Sequence, residues 1–144
     1  MEISLQGIEE MVELAKKLKS ENIEKIFHSP FVRTTQSAEI LSKVLKVEMI
    51  SDERFIESSY HEKTLEQFSE SYQIYKKGVL EILNKHTKAI IVSHEFPMGL
   101  FLSKELGNSL DKIMENHKLT KLLRMGDCIK ADFEDYSLKN TEFF

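Results

Sequence analysis

Ala89-Ile90-Ile91-Val92-Ser93 is an unbroken apolar run of strand length, and it ends on a histidine, His94. A run of this kind suits a strand buried on both faces, as strands are in a parallel sheet covered by helices. It asks for helical segments on either side of it in the chain, and both are present. Leu65, Phe68, Tyr72, Tyr75, Val79, Ile82 and Leu83 recur at helical spacing before it. Gly78 weakens that helix by about 1 kcal/mol relative to Ala without forbidding it. Residues 97–106 read as a helix after the strand, closed by Gly107.

The same alternation runs through the rest of the sequence. Ile8, Met11, Val12, Ala15 and Leu18 predict a helix over about 5–20. Ile23, Ile26 and Phe27 predict a strand over 23–28 that meets a turn at His28-Ser29-Pro30. Ser29 is placed to cap the next helix, with Pro30 in its first turn and Ala38, Leu41, Val44 and Leu45 continuing it. A short strand at 47–50 and an aperiodic loop over 51–63 come before the long helix. After Gly107 a short helix over 109–115 leads to two strands, 119–124 and 127–133. They form a hairpin around Met125-Gly126-Asp127, and a polar, loosely held tail covers 134–144. Strands alternating with helices predict one domain over 1–144, a three-layer α/β/α sandwich on a mostly parallel sheet. One irregularity stands out: the chain opens on a helix, where such folds usually open on a strand.

Charge and cysteine content remove several classes of function. The formal net charge is -4, with 20 basic and 24 acidic side chains, so neither nucleic acid nor a membrane surface is an expected partner. No window is long and apolar enough to span a bilayer, and MEISLQGIEE lacks the order of a signal peptide. A reducing cytoplasm is the expected location. The lone Cys128 makes no internal disulfide and no thiolate zinc site; no metal and no cofactor is expected. Arg33, Arg54 and Arg124 are the only arginines, and the remaining basic residues are lysines. In such a chain an arginine marks a position where the planar fork has a use that lysine lacks.

Ligands of parallel α/β sheets sit beyond the carboxyl ends of the strands. Two strand ends carry suitable residues here: His28-Ser29-Pro30-Phe31-Val32-Arg33, and Ser93-His94-Glu95. An arginine on the first turn of a helix, beside its free N–H groups, is well placed for an anion. A histidine ending a buried strand can offer a proton or a hydrogen bond to the same ligand. Spacing does not show that the two meet, and a surface Arg33 with a structural His94 fits the same pattern.

Ser29-Pro30-Phe31-Val32-Arg33-Thr34-Thr35-Gln36-Ser37-Ala38-Glu39-Ile40 resembles the S-P-L-x-R-A-x-Q-T-A-E-I stretch of the histidine phosphatase superfamily. These are the phosphoglycerate-mutase-like and phosphohistidine-phosphatase-like proteins. Ile91-Val92-Ser93-His94 is similar to that family's V-V-S-H-G. Ser4-Leu5-Gln6-Gly7 resembles its L-T-x-x-G, and Arg54-Phe55-Ile56-Glu57 its R-L-x-E. The four segments keep family order and span about residues 4–95.

The resemblance implies phosphoryl transfer through a phosphohistidine: nucleophilic catalysis with electrostatic clamping and general acid help. It implies Arg33 as a phosphate clamp, His94 as the second histidine, which binds phosphate and takes part in catalysis, and Glu57 as proton donor to the leaving alcohol. Glu53 and Glu62 are equally available to the last role by position. The ligand it implies is phosphate, a phosphorylated small molecule or a phosphoprotein, held weakly. The family's nucleophile lies in an R-H-G motif on a first strand, and residues 1–144 contain no R-H-G. Leu123-Arg124-Met125-Gly126-Asp127 echoes that motif with methionine in place of the nucleophile, and reads as a turn. His28 is placed near the pocket but on a different strand from the nucleophile; His61, His86 and His117 read as solvated, and Glu95 replaces the motif's glycine. The expectation is a domain that keeps part of a phosphate pocket and turns nothing over. A fragment of an active phosphatase or mutase, and an interaction protein with inherited motifs, are the alternatives. In the family the first strand pairs with the Ser93-His94 strand. Without it that edge is exposed, and a late strand, the tail or a second copy of the chain is expected to cover it.

Overall fold

The computed structural model describes residues 2–57, 64–124 and 126–144. They gather into two compact units, Met1–Ile56 with Ile82–Ser93, and Glu57–Glu81 with His94–Phe144.

In the first unit, Ser4 caps helix α1 (Leu5–Leu18), its hydroxyl accepting from Gly7 N at 3.0 Å. Lys16 and Lys17 in the last turn suit the negative end of the helix dipole. Asn22, at φ 57°, turns the chain left-handed into strand β1 (Lys25–His28). Helix α2 (Val32–Leu45) begins later than the sequence predicts, with Phe31 rather than Ser29 at its N-cap. Ser29 still serves this turn, because its hydroxyl accepts from Phe31 N at 3.4 Å. Strand β2 (Met49–Ser51) follows, then a single 3₁₀ turn, Glu53–Phe55, inside the segment expected to be aperiodic. Strand β3 (Ala89–Val92) completes a parallel sheet of order β2-β1-β3, with Ile26 opposite Met49 on one side and Ile90 on the other. Ala15, Leu18, Ile26, Ala38 and Leu41 form the core between α1, α2 and the sheet, with Ile90 and Val92 packed against it. The four residues of β3 are half-buried, and β3 is an edge strand of its sheet. The burial on both faces that its apolar run predicts is therefore incomplete.

Helix α3 (Leu65–Lys85) starts on a reciprocal cap: Gln67 N donates to Thr64 Oγ1 at 3.2 Å, and Thr64 N donates to Gln67 Oε1 at 2.8 Å. Its residues up to Glu81 belong to the second unit, with helices α4 (Glu95–Glu105) and α5 (Leu110–Glu115). Aromatic rings make much of this core. Phe68 meets Phe96 edge-on at 5.8 Å, and Phe101 lies 6.1, 5.3 and 6.4 Å from Tyr72, Tyr75 and Phe133. The strand expected at 119–124 is absent. A 3₁₀ helix, His117–Thr120, stands there, closed by Thr120 Oγ1 donating to His117 O at 2.8 Å and by Asn116 capping Lys118 N. Arg124 and Asp127 close the turn read at that place, Asp127 N donating to Arg124 O at 3.0 Å and Arg124 N to Asp127 Oδ2 at 2.9 Å. It does not join a hairpin. The hairpin comes later, between β4 (Ile129–Glu134) and β5 (Ser137–Phe143), turning at Asp135 and Tyr136 with φ 52° and 64°. The segment expected to hang loose is thus a paired strand, and Phe144 N donates to Cys128 O at 2.9 Å. Among the described residues β4 and β5 form a two-stranded sheet of their own. No helix among the described residues is long and apolar enough to cross a membrane.

Candidate active site

The carboxyl ends of β1 and β2 carry the first group of polar residues. His28 ends β1, opposite Ser51 and Val92. Its carbonyl accepts from Asp52 N at 2.8 Å, and Ser29 N donates to Val92 O at 2.9 Å, so the strand ends are tied to one another. Arg33 is the second residue of α2 and is half-buried. Arg33 stands at the position the spacing predicts, on the first turn of a helix that follows a strand. Thr34 is buried beside it, its hydroxyl donating to Ser29 O at 2.8 Å and 3.0 Å from Phe31 O.

Arg54 is occupied by a partner that the sequence reading passed over. Its Nε and NH2 donate to Asp52 Oδ1 and Oδ2 at 3.0 and 2.8 Å, a two-pronged pair that lysine could not make. Asp52 Oδ1 also accepts from Arg54 N at 2.9 Å. The hydrogen bonds from the Arg54 side chain hold the Asp52 carboxyl below the usual carboxylate range, against the opposing effect of burial. The signal was present in the sequence as an acid two residues before an arginine at a strand end.

The second group is on the other unit. His94 is the N-cap of α4, and its carbonyl accepts from Met98 N at 3.3 Å. Its Nδ1 lies 3.3 Å from Glu57 Oε2; the His94 side chain is 11% exposed and that of Glu57 52%. Two residues named from separate motifs therefore meet, one sheltered and one at the surface. A carboxylate and an imidazole at this distance attract when the imidazole is protonated, and the pair can hold and pass a proton. Glu53 opens the 3₁₀ turn of the first unit, and Glu62 and His61 lie outside the described residues. Glu95 is exposed on the first turn of α4, where the helix dipole favours a carboxylate.

The remaining histidines and the cysteine have structural surroundings. His86 Nδ1 lies 3.4 Å from Glu24 Oε1, and its ring meets Phe27 edge-on at 5.8 Å, so it is not simply solvated. His117 is half-buried. Burial pushes the Cys128 thiol up, away from the thiolate that reacts. Tyr72 donates to Glu105 at 2.7 Å and accepts from Lys76 at 3.0 Å, tying α3 to α4. Burial first, then the Glu105 bond, pushes the phenol up, while the hydrogen bond to Tyr72 raises the Lys76 ammonium against its own desolvation. No cluster of metal-ligating side chains occurs among the described residues.

Comparison with solved structures gives the fold. The chain superposes on Bacillus stearothermophilus YhfR with a TM-score of 0.76 at 14% identity, covering 94% of this chain and 81% of that one. It superposes on a mycobacterial glucosyl-3-phosphoglycerate phosphatase with a TM-score of 0.70 at 13% identity, covering 99% and 85%. For phosphoglycerate mutase from Plasmodium falciparum the values are 0.63, 16%, 99% and 94%. No curated protein matches the chain in sequence. A family model, histidine phosphatase superfamily (branch 1), matches residues 1–77, a stretch that holds Arg33, Asp52, Arg54 and Glu57 and stops short of His94. With that match over more than half its length, on an α/β fold built around a parallel sheet, the chain belongs to the histidine phosphatase superfamily.

Proposed function

We propose that this chain is a phosphate-binding domain in which Arg33, His94 and Glu57 handle a phosphoryl group, and that these 144 residues turn nothing over. The observation that carries the reading is the 3.3 Å pairing of His94 with Glu57, two residues drawn from different motifs. Arg33 offers the forked guanidinium that takes two phosphoryl oxygens at once, and the first turn of α2 adds its dipole. By resemblance His94 offers a hydrogen bond to a phosphoryl oxygen, and Glu57 a proton for a leaving alcohol. Clamping residues stabilise a transferring phosphoryl group but do not replace the atom that accepts it. Removing a nucleophile from residues that act as a unit costs several orders of magnitude in rate. The expected ligand is phosphate, a phosphorylated small molecule or a phosphoprotein, in a reducing cytoplasm.

The open edge of β3 favours a second reading, that of a phosphatase or mutase acting through a phosphohistidine on a strand supplied beside β3. A phosphomonoester assay on the purified chain, with and without an added R-H-G segment, separates the two. The first reading expects no turnover from the chain alone, and turnover near 1 s⁻¹ or above from it, within the ordinary enzyme range, overturns that reading. An inert interaction protein is told apart by phosphate: a binding domain melts higher as phosphate is added, and loses that rise in Arg33→Ala.

A further inference from the structure

His28 is the buried polar side chain that this phosphate chemistry leaves unused. It is 4% exposed, at the carboxyl end of the middle strand of the sheet. Its Nδ1 lies 2.8 Å from the carbonyl oxygen of Ser29. A carbonyl only accepts, so Nδ1 carries the proton, and in the neutral ring Nε2 is a bare acceptor. The same carbonyl accepts from Thr34 Oγ1, one residue after Arg33, at 2.8 Å. The imidazole is thereby pinned beside the first turn of α2. Among the described residues Nε2 has no partner. A buried acceptor left unmatched costs about 1–3 kcal/mol, and such groups in native proteins mark a bound water, an ion or a functional role.

We propose that Nε2 of His28 is a further ligand contact, which accepts a hydrogen bond from a protonated phosphoryl oxygen: the P–OH of hydrogen phosphate or of a phosphomonoester monoanion. The inference rests on the phosphate reading of Arg33 and deepens it. A guanidinium only donates, so Arg33 takes the oxygens of phosphate and of sulfate alike. A bare imidazole nitrogen needs a donor, which hydrogen phosphate has and sulfate lacks at neutral pH. A buried polar group discriminates strongly against an analogue that leaves it unpaired. His28 therefore turns an anion site into a phosphate-selective one.

The test is calorimetric titration of the full chain with inorganic phosphate and with sulfate, for the wild type, His28→Leu and Arg33→Ala. The wild type is expected to prefer phosphate by about tenfold or more, the equivalent of one ordinary hydrogen bond. His28→Leu should lose that preference while still binding sulfate, and Arg33→Ala should weaken both anions. His28→Leu should also melt no lower than the wild type, because it removes an unmatched acceptor; a residue held for its Nδ1 bond alone would destabilise on removal. Equal affinity for the two anions in the wild type, or a preference that survives His28→Leu, overturns the proposal and leaves the phosphate reading standing if Arg33→Ala weakens both. Failure of either anion to bind the wild type overturns both. Should His28→Leu not fold, the ¹⁵N signal of His28 Nε2 in the wild type decides: it moves with phosphate and not with sulfate, or the proposal falls. Phosphoserine titrated at about pH 6, where a large share of it is the monoanion with a P–OH, should also be preferred over sulfate, and binding of inorganic phosphate alone at that pH overturns the monoester half.

Discussion

Adding one methyl group at Gly99 should destabilise the second unit, although Gly→Ala in a helix ordinarily stabilises. Gly99 is buried in the middle of α4, against Thr120. A Cβ built there would stand 2.6 Å from the Thr120 carbonyl carbon and 3.0 Å from its Cα, and closer still to the carbonyl oxygen. Carbon atoms rest at about 3.5–4.0 Å, so the carbonyl carbon alone makes the two backbones part by about 1 Å, and the nearer oxygen demands more. The obstacle is main chain in a hydrogen-bonded turn, with Lys121 N donating to Lys118 O at 3.1 Å, and it has no rotamer to give way. Overpacking of this kind costs about 1–3 kcal/mol, and more when backbone must move. Against about 3 kcal/mol stands a helix-propensity gain of about 1 kcal/mol, for a net loss near 2 kcal/mol. For a chain of this size that lowers the melting temperature by about 4–8 °C. Thermal unfolding followed by circular dichroism reads it. A Gly99→Ala variant that melts within about 1 °C of the wild type, or higher, would refute the close approach of α4 to the His117–Thr120 turn.

Asp52→Asn should destabilise the first unit by about 1.5–3 kcal/mol, because it halves a charge-assisted, two-pronged bond. The folded carboxyl is depressed, so its stabilisation is present above the unfolded carboxylate range and is lost as pH falls through the lower folded value. Urea midpoints taken from neutral pH downward should thus drop more steeply for the wild type than for Asp52→Asn, and parallel curves would contradict the pairing. The half-buried edge of β3 carries no charge, proline or bulge to discourage strand addition, so the chain should associate through it as concentration rises. Sedimentation velocity checks this, and a monomer at all concentrations with fast amide exchange at 89–92 would count against it.

The elements that were legible in the sequence are those whose signal is local. α1 and α3 carry a helical period over several turns, and Ser4 and Thr64 are capping residues at their starts. β3 is apolar throughout and short. The strand expected at 119–124 failed for a non-local reason. Leu119, Leu122 and Leu123 have strand-like apolarity, but Asn116 caps a 3₁₀ turn and Thr120 is pressed against Gly99 in α4. Apolarity at that length does not tell a strand from a packed turn. The hairpin was misplaced for the opposite reason. Gly126-Asp127 is strong turn chemistry, and a turn does form there, but Asp135 and Tyr136 take the left-handed conformations that join two strands. Tyrosine at such a position is uncommon, so no composition rule points to it.

The site divides along the same line. The place of Arg33 was legible, because the preceding strand and turn fix it on the first turn of one helix within a few residues. The meeting of His94 with Glu57 was not legible from spacing, since the two are joined only through the folded chain, and family order alone named both. His28 shows a third case. Its identity and its strand-end position were visible at once, but its chemistry depends on which ring nitrogen is already spoken for. That follows from one carbonyl, Ser29 O, which receives both Nδ1 and the Thr34 hydroxyl. A sequence records which side chains can accept or donate. Which of their atoms the fold has already satisfied is settled only by tertiary hydrogen bonding, and for a buried imidazole that choice decides between a structural prop and a group still open to a ligand.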